Sequence, residues 1–180
     1  MKYLRFLPVL VLLLIFSSCT TVRVVTDYDK EANFGNYSNF AFYKPGIDKA
    51  QISDLDKKRI LRAIDTELSA KGMIKSEKAD ILVSIFTKER ERIDVYNNNF
   101  GYGWGWHPWY YGGYYGTSVS STTEGSLYID FIDAKTKELV WQGVGTARLI
   151  TSGNIEKKEA RINEIVREIV AKYPPGSAAN

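Results

Sequence analysis

The chain has 180 residues, of which 44% are hydrophobic and 25% are charged, with one Cys and one His. This length and composition favour one globular domain, and the single Cys and His exclude an intrachain disulfide and a zinc site built from several such residues. The formal net charge is +3, and it falls to +1 if Lys2 and Arg5 are removed with the leader described below. A nearly neutral chain disfavours general nucleic-acid binding. We expect no cofactor and no bound metal.

The first residues are typical of a secretory signal peptide. Basic residues precede an apolar run over residues 7–16, and small residues lead to the single cysteine, Cys19. The run is shorter than the ~20 residues that a membrane-spanning helix needs. Residues 15–19 resemble a bacterial lipobox, in which the Cys is lipidated and becomes the first mature residue. A plain signal peptide with an incidental Cys is the alternative.

We therefore predict a signal peptide over residues 1–18 and a lipidated Cys19, with palmitate among its acyl chains. Residues 19–21 would form a short tether. Thr20 follows the Cys, so the Asp that retains lipoproteins in the inner membrane of enteric bacteria is absent. The expected location is the outer membrane, lipid-anchored and facing the periplasm.

Residues 22–176 show the periodicities of a single α+β domain. β-Branched and alternating runs predict about five strands, at 22–28, 39–43, 79–87, around 127–132 and at 139–147. Apolar residues at spacings of three and four predict two helices, at 53–71 and 154–173. The expected architecture is a two-layer sandwich, with a mostly antiparallel sheet and both helices on one face.

Local signals mark the ends of these elements. Ser53, with Asp56 three residues later, predicts a helix N-cap, and Gly72 predicts a left-handed C-terminal cap. Pro45 and Gly46 are expected to stop the second strand. Residues 89–92 alternate in charge and favour a solvated extension of the third strand, and residues 177–180 are expected to be disordered.

Residues 96–116 form a segment unlike the rest, with ten aromatic residues, six glycines and no charge. Such aromatic side chains offer large flat faces for sugars, peptides or a lipid interface. Because the segment contains no Lys or Arg, it is a poor candidate for nucleic-acid binding. The alternatives are that its rings cover a sheet face, or that it is an insertion with no partner. The candidate binding residues are Tyr102, Trp104, Trp106, Trp109, Tyr110, Tyr111, Tyr114 and Tyr115.

Chemistry-bearing motifs are sparse. His107 is interpreted as an ordinary loop side chain, and neither a Gly-x-Ser-x-Gly nor a phosphate-binding loop is present in the sequence. Scattered carboxylates such as Asp130 and Asp133 give the only support for a hydrolase. Lys157, Lys158, Arg161 and Arg167, on the last helix, could face anionic lipid, although neighbouring acidic residues dilute that patch.

Several stretches in a fixed order resemble a family of bacterial envelope lipoproteins known as domain of unknown function 4136. They are Val24–Asp29, Tyr37–Phe42, Ala70–Met73, Lys78–Val83, Gly125–Asp130, Val140–Gly143 and Tyr173–Pro175. The resemblance covers about residues 22 to 176. It implies the envelope location and the fold, and it implies no reaction. Family members similarly carry an aromatic and glycine insertion of variable length before the Gly-Ser-Leu strand.

These observations predict a non-enzymatic, lipid-anchored periplasmic lipoprotein. We expect it to bind an envelope component, whether protein, glycan or lipid, through the segment at 96–116. The alternatives are a structural subunit of an outer-membrane complex and, with less support, a hydrolase of an envelope polymer.

Overall fold

The computed structural model describes residues 22–96, 118–150 and 153–176, and for residues 90–96 and 118–123 it describes the backbone. Within these residues the chain forms six strands and three helices. In chain order they are β1 (Arg23–Tyr28), β2 (Asn39–Phe42), α1 (Lys44–Ile47), α2 (Asp54–Ala70), β3 (Ile74–Lys75), β4 (Ile81–Tyr96), β5 (Ser118–Asp133), β6 (Leu139–Arg148) and α3 (Ile155–Val170). A single turn of 3-10 helix at Phe34–Asn36 separates β1 from β2.

The strands form one mixed sheet in the order β1-β6-β5-β4-β2-β3. The pairs β1–β6, β6–β5 and β5–β4 are antiparallel, whereas β2 is parallel to both β4 and β3. The predicted two-layer α+β class is confirmed. The predicted counts omit β3 and α1, because two strand residues and four helical residues are too few to produce a periodic pattern. Pro45 and Gly46 do end β2, but they also lie within α1, where proline fits a first helical turn.

One face of the sheet carries the apolar side chains that form the core. Ile81, Val83 and Ile85 of β4 are buried, and Val83 pairs with Phe131 of β5 while Ile85 pairs with Ile129. Buried side chains of α2 and α3 pack against this face; they are Ile60, Ala63, Ile64 and Leu68 of α2 and Ile165, Val166, Ile169 and Val170 of α3. The expectation of two helices on one face is therefore met by α2 and α3.

Helix α3 packs directly on the backbone of β6. A Cβ atom placed on Gly143 would lie 2.5 Å from Ile169 Cγ2, and one placed on Gly145 would lie 2.7 Å from Ile169 Cδ1. Real Cβ atoms do not approach other atoms so closely, since cores are packed to contact. The two glycines thus set the distance between α3 and the sheet.

The ends of α2 follow the local sequence signals. Ser53 Oγ accepts a hydrogen bond from the Asp56 N–H at 3.2 Å, which confirms the predicted N-cap. Gly72 has φ +85°, and the Met73 N–H donates to the Leu68 carbonyl at 3.0 Å, as in a Schellman motif. Met73 and Leu68 are both buried, so the cap also adds an apolar contact to the core.

Aromatic side chains seal the core near the start of β6. The ring centroids of Phe131 and Trp141 lie 4.8 Å apart, and the Tyr173 ring packs edge-on at 4.6 Å from Phe131 and 5.4 Å from Trp141. Phe34 contacts Tyr173 from the turn before β2. Offset and edge-on ring pairs of this kind stabilise a core beyond the area that they bury.

At the opposite end, β4 and β5 continue past the other strands as a two-stranded ribbon. The last β5–β6 pair is Glu124 with Arg148, whereas β4 and β5 remain paired as far as Tyr96 with Ser118. The six pairs beyond Glu124 correspond to about 20 Å of extended strand. The predicted strand extension at 89–92 is confirmed, and the strand continues to Tyr96, the first residue of the predicted aromatic segment.

The close approach at β6 predicts that Gly143→Ala lowers the free energy of unfolding by about 2 kcal/mol. The added methyl group would overlap Ile169 and the Trp141 ring, both of which are buried. Urea denaturation at pH 7 measures the change. Gly153→Ala is the matched control, because a Cβ atom there meets nothing within 4 Å. Equal destabilisation of the two variants would contradict the packing argument.

Candidate functional site

The binding and anchoring residues proposed from the sequence lie outside the described residues. Cys19 precedes them, and the eight candidate aromatic residues from Tyr102 to Tyr115 belong to the segment that joins Tyr96 to Ser118. Those two residues are paired strand ends. The chain therefore enters and leaves the aromatic segment through the two strands of the ribbon.

A cleft of about 660 Å³ lies between the sheet and the N-terminal ends of α2 and α3. Its size is in the range of small-molecule sites. It extends along the core-facing side of β4 and β5, where the ribbon begins. Most of the surface exposed inside it is apolar and comes from eight side chains, namely Ile52, Leu55, Ile60, Leu127, Leu149, Ile150, Ile155 and Ile162. The other side chains that line it are polar or charged. This end of the core is open, in contrast to the aromatic seal at the other end.

Two large apolar side chains at this cleft are exposed to solvent. Leu55 is 61% exposed and Ile155 is 57% exposed, and each belongs to the first turn of its helix. Both residues line the cleft. Exposed apolar side chains are common singly, but two that face one apolar cleft indicate a surface that can cover a ligand.

A charged triad joins the two helices beside the cleft. Asp56 of α2 accepts from Arg59 at 2.8 Å and from Lys158 of α3 at 2.6 Å. One carboxylate thus faces two cations, and the triad carries one net positive charge. Burial raises the pKa of Asp56, but hydrogen bonds from Lys158, Ser53 and Arg59 outweigh it, and the pKa lies below its usual value.

The opposite face of the sheet carries a second, more open group of side chains. The rings of Phe86 and Tyr128 lie 5.6 Å apart, and the Lys88 ammonium lies 5.7 Å and 5.6 Å from their centroids. Asp130 lies on this face and accepts from Gln142 Nε2 at 2.7 Å. Burial raises the pKa of Asp130, and the bond from Gln142 opposes that shift without cancelling it.

Asp133 has a different environment from Asp130. Its carboxylate accepts from the N–H groups of Lys135 and Thr136, at 2.7 Å and 2.9 Å, and from the Tyr37 hydroxyl at 3.1 Å. These bonds hold the turn between β5 and β6, in the role that Asp commonly takes in turns. The hydrogen bonds from Thr136 and its neighbours hold the pKa of Asp133 below its usual value.

The described residues lack two further kinds of feature. No three His, Cys, Asp or Glu side chains among them come together as the ligands of a metal ion would. No helix in the described part of the chain combines the length and the apolar character needed to cross a membrane.

The mixed sheet, covered on one face by two helices, defines a two-layer α+β domain with an open cleft at one end. The chain belongs to the family described as Domain of unknown function (DUF4136), whose model matches residues 24–175. The family resemblance noted from the sequence is therefore confirmed. A search of the curated proteins finds no significant match.

Solved structures share the fold at low sequence identity. A PDZ domain protein from Parabacteroides distasonis matches with a TM-score of 0.52 at 18% identity, over 90% of this chain and 39% of that one. The chain thus spans well under half of that protein. PelC from Paraburkholderia phytofirmans, solved as a dodecamer, matches with a TM-score of 0.50 at 13% identity, over 84% of this chain and 96% of that one. A minor lipoprotein from Acinetobacter baumannii gives a TM-score of 0.38 at 9% identity, over 76% of this chain and 88% of that one.

Of the residues that line the cleft, only Lys158 and Arg161 are singled out by the sequence, as residues that could face anionic lipid. The helical periodicity assigns Leu55 to the buried face of α2 and Arg59 to the solvent face. In the structure Leu55 is exposed, and the Arg59 side chain is largely buried beside Asp56. One feature of the sequence could have indicated the cleft. Both helices have a large apolar residue in the first turn, where a helix end usually faces water.

The triad predicts that Asp56→Asn lowers the free energy of unfolding by about 2 kcal/mol at pH 7, because Lys158 and Arg59 lose a charged partner. The native pKa of Asp56 is lowered, so its contribution is complete above the unfolded value of about 3.9 and disappears as the pH falls through the native pKa. Urea denaturation between pH 7 and pH 3 should show the two proteins converging. Asp54→Asn is the matched control, since that side chain is 91% exposed and should change stability by less than about 0.5 kcal/mol.

The environment of Asp130 predicts the opposite effect for Asp130→Asn. An Asn side chain can still accept from Gln142, and it removes a charge that burial disfavours. The native pKa is raised, so the wild-type protein loses stability as the pH rises from about 3.9 through that pKa, and the variant should not. Thermal melts should show the variant as stable as the wild type at pH 4 and more stable at pH 7. A variant less stable at pH 7, or the loss of a measured peptidoglycan-cleaving activity, would contradict this interpretation and favour the hydrolase.

Proposed function

We propose that this protein is a non-enzymatic, lipid-anchored lipoprotein of the outer membrane that binds an envelope component through its aromatic segment. Membership of the DUF4136 family and the signal sequence ending at Cys19 support the proposal. The hydrogen-bonded roles of Asp130 and Asp133 favour a structural use of these carboxylates over a catalytic one.

The observation that carries the proposal is that β1 starts at the end of the sheet from which the ribbon leaves. Arg23 pairs with Thr146, near the end of β6, whereas Tyr28 pairs with Trp141, near its start. The ribbon likewise begins beyond the end of β6. Cys19 is three residues before the first described residue, and three residues span at most about 10 Å. A lipid at Cys19 would therefore turn this end of the sheet toward the membrane.

The same geometry favours lipid among the three classes of envelope component. The aromatic segment joins the far end of the ribbon, which is the end that anchoring directs to the bilayer. Trp and Tyr partition to membrane interfaces, because their rings are apolar and their polar groups can remain hydrated. We expect the aromatic segment to contact lipid at that interface.

The alternative of a subunit in an envelope complex has one observation in its favour. Within the described residues β1 pairs only with β6, so its outer edge presents backbone groups that another chain could pair with. PelC shares the fold and was solved as a dodecamer. A single stoichiometric partner, or a defined oligomer of the purified protein, would favour this alternative.

Vesicle co-sedimentation tests the proposed function. Protein that begins at Thr20 is compared with the same protein lacking residues 97–116, after matched thermal melts show that both are folded. We expect the intact protein to sediment with phospholipid vesicles and its Trp emission to shift to the blue, and the shortened protein to lose most of the binding. Peptidoglycan is the comparison ligand. Equal sedimentation of both proteins, or binding to peptidoglycan alone, would overturn the assignment of the aromatic segment to lipid.

A further inference from the structure

We propose that the cleft between α2 and α3 holds one acyl chain of an anionic membrane lipid, with the headgroup beside the triad of Asp56, Arg59 and Lys158. The proposal rests on the proposed function, because it requires the anchored end of the domain to face the bilayer. It assigns a binding site on the folded body of the domain, separate from the aromatic segment.

The lining of the cleft suits a hydrocarbon chain. Its volume is about 660 Å³, and most of the surface exposed inside it is apolar, contributed by eight Leu and Ile side chains. Leu55 and Ile155 lie at its mouth and are more than half exposed. An acyl chain in the cleft would remove this apolar surface from water, and each buried methylene group would strengthen binding.

The position of the cleft favours a lipid from the membrane over a solute. Gly125 and Leu149 line the cleft, and Gly125 pairs with Ala147 of β6, next to the pair of Arg23 with Thr146. The cleft therefore opens at the end of the sheet where β1 begins. The few residues between Cys19 and β1 would hold that end within about 10 to 15 Å of the anchoring lipid.

The charges beside the cleft select the headgroup. The carboxylate of Asp56 balances only one of its two cationic partners, Arg59 and Lys158. The charge of Arg161 is balanced by Glu164 at 2.8 Å. Lys88 and Glu89 also line the cleft and carry opposite charges, so an excess of one positive charge remains. An anionic headgroup is therefore favoured over a neutral one, and a cationic headgroup is disfavoured.

Calorimetric titration with three amphiphiles tests the assignment. Protein that begins at Thr20 contains every element described above. It is titrated with dodecyl phosphate, dodecyl maltoside and dodecyltrimethylammonium, each below the concentration at which it forms micelles. We expect one equivalent of dodecyl phosphate to bind about tenfold more tightly than either of the others. Equal affinities for all three would overturn the headgroup assignment, and the absence of any binding would overturn the site.

A pair of matched double variants tests whether dodecyl phosphate binds in the cleft. Leu55→Gln with Ile155→Gln changes two exposed residues at the cleft, and we expect it to weaken dodecyl phosphate binding about tenfold. Val25→Gln with Leu139→Gln changes two residues that are 70% and 50% exposed elsewhere, and it should leave binding unchanged. All four residues are exposed, so both variants should retain the wild-type thermal melt. Wild-type affinity in the cleft variant would overturn the proposal.

The protein lacking residues 97–116 separates this proposal from the proposed function. We expect it to lose vesicle binding and to keep dodecyl phosphate binding. Vesicle binding by the intact protein without dodecyl phosphate binding would overturn the cleft proposal alone. Dodecyl phosphate binding that disappears with residues 97–116 would place the site in the aromatic segment and would also overturn it.

Discussion

The different rise of strands and helices determines the shape of this domain. A strand advances about 3.3 Å per residue and a helix about 1.5 Å, so β4 and β5, of 16 residues each, extend about 53 Å. Helices α2 and α3, of 17 and 16 residues, extend only about 25 Å. Two helices of this length can cover about half of the longest strands. The uncovered half becomes first the floor of the cleft and then the two-stranded ribbon.

The two ends of the core are consequently closed by different interactions. Near the start of β6, aromatic rings and the glycine contact at Gly143 bring α3 against the sheet with no space between them. At the other end the helices are joined by the ion pair of Asp56 with Lys158, and Leu149 packs over Gly125. This ion pair holds the first turns of the two helices together at the end where the apolar core stops. The cleft can therefore persist in a protein that is otherwise well packed.

The sequence predicted most of the fold because its local signals agree with the tertiary structure. The caps at Ser53 and Gly72 mark the ends of α2, and the alternation around Leu127 identifies the core face of β5. The element bounds were less accurate for β4 and β5. Their outer halves, around residues 89–94 and 118–124, are mostly polar in sequence, and pairing between the strands alone extends them. The cleft was not predictable, because periodicity assigns a residue such as Leu55 to a face and cannot show that the opposing surface has ended.

The clustering of the ribbon, the cleft and the start of β1 at one end follows from the strand order. β4 runs toward that end, β5 runs back and β6 runs toward it again, so α3 must begin there. Because β1 is antiparallel to β6, it must begin there too. The point of insertion between β4 and β5 therefore lies at the end of the sheet where β1 begins, away from the sealed end of the core. A segment with no charge and many rings can therefore be inserted at this point without interrupting the packed core.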